Sequence, residues 1–199
     1  LYGLLVCVIF ITTGLSQKLR DWAMKISHRP WLYTAIYAVF WIIAGTILGL
    51  PLSMYVDFYR EHAYGLSNLS LAGWFAEGGK GLLVSLIIMP WLITGLFSAV
   101  RKAGERWWLY AGVVSFGVIL LISMIAPVFI SPLFNDYKPL AEGPVKSAIF
   151  SLARANQIPT DNVVYFDASK QTTRVSANVS GFAGTTQVSL NDNLLNKTS

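Results

Sequence analysis

One cysteine among 199 residues excludes a disulfide framework, and Cys7 lies in an apolar run with no second thiol to make a cysteine-based zinc site. Histidine is almost as scarce. His28 and His62 are the only two, so no H-E-x-x-H pair of ligands one helical turn apart is present. No G-x-S-x-G occurs, and neither histidine belongs to a candidate serine triad. Paired intramembrane aspartates are missing too, since Asp57 is the only aspartate near an apolar run. Charge is thin at 13% of residues, against roughly a quarter in soluble domains. A net charge of +5 is accounted for by Lys and Arg flanking apolar segments, which argues against nucleic-acid binding.

What is abundant is apolar sequence, 54% of the chain with seven tryptophans. Such a composition places most of the chain in lipid. Four spans are expected: residues 1–15 (short of a full crossing), 31–56, 81–100 and 107–130. Trp31–Val56 is uncharged over a length that crosses about 30 Å of hydrocarbon at 1.5 Å per residue. Trp31 and Tyr33 open it as an interfacial belt. Pro51 is expected to kink or end this span, and Pro90 to kink the next. Between spans lie the basic connections Ser16–Pro30 and Arg101–Arg106 and the polar connection Asp57–Lys80. Leu1–Leu15 lacks the basic n-region of a signal peptide. The chain opens with Leu inside an apolar run and closes in a polar segment, so both ends read as cut.

From Ser131 the composition turns soluble. Ser131–Leu140 reads as a two-proline exit segment. In Pro144–Gln157 the apolar residues Val145, Ala148, Ile149, Leu152 and Ala153 recur at helical spacing, predicting an amphipathic helix with Pro144 in its first turn. Asn162–Phe166 reads as a buried strand and Asp167–Gln171 as a turn. Arg174–Ser180 and Thr185–Leu190, joined by Gly181-Phe182-Ala183-Gly184, predict a β-hairpin. Asn191-Asp192-Asn193 offers N-caps for a following helix. The fold class is therefore an α-helical membrane bundle over residues 1–130, followed over residues 131–199 by part of a small α+β domain with a hairpin.

These pieces, in order, resemble the CAAX prenyl protease family of multi-pass membrane zinc metallopeptidases. The resemblance is carried by Gly49–Tyr55, Glu61–Ser67, Pro132–Asn135 with Pro139-Leu140, Asp167–Lys170, Ala177–Phe182 and Val188–Leu195. It implies a zinc endopeptidase acting on peptide or protein substrates, prenylated or otherwise membrane-associated. It also implies an H-E-x-x-H helix that would follow Ser199, so the expectation is of a fragment without catalytic or metal residues, binding no zinc and inactive alone. Zinc is expected only in the full-length parent. One role of the family maps onto present residues: a substrate-binding edge strand, here Ser176, Ala177, Asn178, Val179, Ser180 and Gly181. The family's Asn falls at Ser176, and Asn178 stands where it has an aromatic residue, so the expected role is one of backbone rather than side chain.

The remaining polar residues have plainer readings. His62 beside Glu61 is expected to be a capped loop residue at the interface, and His28 a headgroup-level loop residue. Asp57, Arg60 and Glu61 are expected to be solvated flanks, Asp167 and Lys170 turn residues. Positive-inside counting puts residues 131–199 outside, whereas the resemblance implies the cytosol, toward which the balance tips slightly. Both agree that residues 57–80 and 131–199 share a side. The alternative function is a non-enzymatic multi-pass membrane protein, a scaffold or transporter subunit.

Overall fold

A computed structural model describes residues 2–160, 162–181 and 186–197. The described chain divides into two compact units, Leu1–Arg60 with Phe75–Ile119, and Glu61–Trp74 with Leu120–Ser199.

The first unit is helical. Helix α1 (Tyr2–Thr12) and helix α2 (Leu15–Ile26) meet at a 62° bend. Gly14 makes the bend with φ +65°, in the left-handed region where a side chain would be strained. The expected basic loop at Ser16–Pro30 is thus mostly a helix. Its four Lys and Arg disguise an apolar stripe at Leu15, Leu19, Trp22, Ala23 and Ile26, of which Leu19 and Ala23 are buried. Helix α3 (Pro30–Ser53) starts with Pro30 in its first turn. Phe10 packs against Trp41 of α3 in a tilted pair with ring centroids 4.0 Å apart, and the Ser16 and Tyr37 hydroxyls bond at 2.8 Å. Pro51 does not end α3. The helical path widens instead into π-type turns over Met54–Arg60 and closes in α4 (Glu61–Ala63).

The polar connection is shorter than expected, because helix α5 (Leu71–Ala103) begins well before Lys80. Ser70 caps it by accepting the Gly73 N–H, and Lys80 Nζ lies 2.9 Å from Glu77 Oε1. A turn at Gly104–Arg106, with Gly104 at φ +54°, leads into α6 (Trp107–Ile125). Two helical runs, Pro30–Ala63 and Leu71–Ile125, are long and apolar enough to cross a membrane, and the bent pair α1–α2 makes a third candidate. Their most apolar windows are hardly buried against protein. Large apolar side chains such as Ile87, Phe116 and Ile119 are exposed, as suits surfaces facing lipid.

In the second unit α6 widens at Ala126–Ile130, where Pro127 can donate no helix bond, and a short turn follows at Ser131–Leu133. A four-stranded sheet comes next, in the order β1 (Tyr137–Pro139), β2 (Asn162–Phe166), β4 (Gln187–Asn191), β3 (Ala177–Ser180). Strand β1 lies within the expected exit segment; Pro139 suits it because β1 is an edge strand. The strands β2 and β4 pair in parallel, Asn162 opposite Gln187, while β1–β2 and β3–β4 are antiparallel. Helix α7 (Pro144–Ala155) lays Ile149 and Phe150 against a core of Val163, Val188 and Leu190, joined by Leu194 and Leu195 of α8 (Asp192–Lys197).

Candidate functional site

The candidate site is built on β3. Its neighbour among the described residues is β4, reached in the register Ala177 opposite Leu190 through Ser180 opposite Gln187. One step back in this register, Asn191 donates its backbone N–H to the Ser176 carbonyl at 3.0 Å. Ser176 and Asn191 are therefore a hydrogen-bonded pair, and an antiparallel ladder alternates such pairs with non-bonded ones. Ser176, Asn178 and Ser180 turn their main-chain groups toward β4. Ala177 and Val179 turn theirs to the open edge.

Beneath that edge is an apolar groove of about 460 Å³, walled by Val179 and Leu190 of the sheet, Ile149 and Leu152 of α7, and Leu194 and Leu195 of α8. The chain leaves β3 through Gly181, whose φ of +111° requires glycine. Phe182, Ala183 and Gly184 of the expected turn, and Thr185 at the head of the second run, lie outside the described residues.

The segment entering β3 is fixed from three directions. Asn191, fully buried, donates from Nδ2 to the Arg174 carbonyl at 2.6 Å and accepts the Leu194 N–H at 2.9 Å, capping α8. Asn193 donates to the carbonyls of Thr172 and Arg174. Glu61 meets the Arg174 guanidinium at 2.7 Å. The expectation of Glu61 as a solvated flank is thus corrected: an arginine on the strand side of the domain claims its carboxylate. Around it, the Thr172 hydroxyl donates to Leu66 O at 2.7 Å, Asn68 Nδ2 to Ser169 O at 2.8 Å, and Ser67 bridges to Thr172. Residues 61–70 and the sheet domain therefore lie together. His62 sits inside this connection with Nε2 2.8 Å from the Leu69 carbonyl.

Two carboxylates anchor the turn after β2. Asp192, in the first turn of α8, accepts from the N–H and hydroxyl of Ser169. Asp167 accepts the Asp136 N–H at 2.8 Å and pairs with Lys170 at 3.1 Å. Burial pushes the Asp167 carboxyl up, but the Asp136 N–H and the Lys170 ammonium outweigh it and hold the group below its ordinary value. A depressed folded value means stabilisation that is complete above the unfolded value and lost as pH falls through the folded one. The stability gap between wild type and Asp167→Asn should accordingly be widest near neutrality and close below about pH 4, read from thermal midpoints. A gap unchanged at acid pH would contradict this.

Among the described residues no three His, Cys, Asp or Glu side chains gather as metal ligands. The described residues thus bring together no ligand set that fits a zinc centre.

Residues 1–136 match the family profile described as CAAX prenyl protease N-terminal, five membrane helices. An uncharacterized metalloprotease of Bacillus subtilis, YhfN, is 26% identical over 189 residues, covering 95% of this chain and 44% of that protein. The CAAX prenyl protease 1 of Saccharomyces cerevisiae is 32% identical over 155 residues, 77% of this chain and 34% of that protein. The crystal structure of Ste24p from S. mikatae superposes with a TM-score of 0.86 at 28% identity, over all of this chain and 48% of its own. The chain spans less than half the length of these relatives.

Proposed function

Because the chain belongs to the CAAX prenyl protease family, we propose that it supplies the membrane housing and the substrate-pairing strand of an integral-membrane zinc endopeptidase. One observation carries the reading: among the described residues β3 ends the sheet, with Ala177 and Val179 unpaired on their outer side above an apolar groove. An extended peptide added there would gain main-chain bonds that hold it without demanding a particular sequence, while alternate side chains enter the groove. Substrate binding is assigned to Ser176–Gly181, with Ala177 and Val179 making the outward bonds and the others tying the strand to β4. The zinc ligands and general base belong to sequence other than these 199 residues.

Residues 1–130 would form the membrane region and 131–199 the first part of the peptidase domain. In that arrangement Leu71–Ile125 divides at its charged turn. As one straight helix it would run about 80 Å, more than twice the hydrocarbon thickness. Gly104 and the charges of Arg101, Lys102, Glu105 and Arg106 suit a turn at the interface. Prenylated or other membrane-associated peptides are the substrate class, and the cytosol is the side assigned to the domain.

The test is peptide cleavage by the whole protein in lipid nanodiscs. Hydrolysis of a farnesylated reporter peptide that stops with a zinc chelator and returns with zinc is expected. Chelator-insensitive cleavage, or none with metal restored, would sink the proposal.

A further inference from the structure

Helices α2, α3 and α5 enclose an open cavity of about 530 Å³ that the peptidase reading does not use. On α5 its lining residues are Arg101, Phe97 and Ile93, spaced four apart, so they form one stripe about 12 Å long. On α3 they step from Thr34 through Tyr37 to Trp41 in the same sense, from hydroxyl to indole. Trp41 packs against Phe10 with the rings tilted by 36°.

The polar end carries Arg101 and, from α2, Arg20. Among the described residues no carboxylate comes within ion-pair reach of Arg101, whose Nη1 touches only the Thr34 hydroxyl at 3.5 Å. Arg20 gives Nε and Nη2 to Asp21 and keeps Nη1 for another acceptor. Lys102 follows Arg101 in the last turn of α5, and the next turn, Gly104–Arg106, holds Glu105 and Arg106.

We propose that this cavity binds one anionic phospholipid, its phosphate between Arg101 and Arg20 and one acyl chain along Trp41, Ile93 and Phe97. Guanidinium forks and neighbouring hydroxyls match phosphate oxygens, and basic pockets between membrane helices select anionic headgroups. The apolar stripe decides the source. Inorganic phosphate would leave it empty, whereas an acyl chain fills it and takes its methylenes out of water. A zwitterionic lipid would satisfy the stripe but bring its own cation to a site already positive.

The experiment is native mass spectrometry, with thermal midpoints, on delipidated full-length protein given phosphatidylglycerol, phosphatidylcholine or inorganic phosphate. Phosphatidylglycerol alone is expected to leave a one-lipid adduct and raise the midpoint. Arg20→Gln/Arg101→Gln should lower its affinity at least about tenfold, the loss expected for charge-assisted bonds. Arg101→Lys should retain part of it. Ile93→Trp, which plugs the apolar end while keeping both guanidiniums, should also abolish the adduct, so the proposal stays testable if the double variant fails to fold. Equal binding of phosphatidylcholine, stabilisation by inorganic phosphate alone, or adducts unchanged in the variants would overturn it. So would a wild type that takes no lipid because another segment of the protein occupies the space.

Discussion

Replacing Val179 with proline in the whole protein is expected to leave the fold standing and to cut peptide hydrolysis by about ten- to a hundredfold. Proline removes one N–H and adds a ring where the hydrogen was. At residue 179 that N–H faces the open edge, so no β3–β4 bond is lost. A substrate strand would lose one main-chain bond, worth about 1 kcal/mol, and would meet the ring at close range. Asn178→Pro is the control, since its N–H faces β4. That variant should break the ladder and lower the thermal midpoint clearly. Equal hydrolysis by Val179→Pro and wild type, with the melting of both unchanged, would mean that substrates do not pair with this strand.

The second large effect is expected at Asn191. Asn191→Ala removes a buried amide that holds the Arg174 carbonyl and caps α8. Loss of the cap costs about 1 kcal/mol. The Arg174 carbonyl keeps the longer 3.2 Å bond from Asn193, so its share of the loss is below the penalty for a fully orphaned acceptor. Together the cost should be about 2–3 kcal/mol, or roughly 5–10 °C in thermal midpoint. Asn191→Ser can cap but cannot reach Arg174, so it should recover only the capping part. Because the same amide fixes the entry to β3, cleavage should fall alongside stability. A midpoint within a degree or so of wild type would show that the buried amide does not hold this corner.

Much of this was legible in the sequence where the signal is local. The run Asn162–Phe166 reads as a strand and is β2; the apolar spacing after Pro144 reads as a helix and is α7. What stayed hidden is mostly long-range or masked by charge. Glu61 looks like a membrane flank until Arg174 is brought to it, in a connection whose Leu66 and Thr172 are 106 residues apart. Basic residues on α2 conceal the stripe that packs on α3. Strand β1 is three residues long and contains a proline, which from sequence alone argues against a strand. The outward aim of Ala177 and Val179 needed the register, and that rests on the single bond from Asn191 to Ser176.

Amide exchange resolved at Ala177, Asn178, Val179 and Ser180 in the full-length protein asks the central question most directly. Without substrate, Ala177 and Val179 should exchange fast and their two neighbours slowly, as one-sided pairing dictates. A saturating non-hydrolysable peptide should slow Ala177 and Val179 specifically. If both stay fast while the peptide is bound, the open strand is not where the substrate lies.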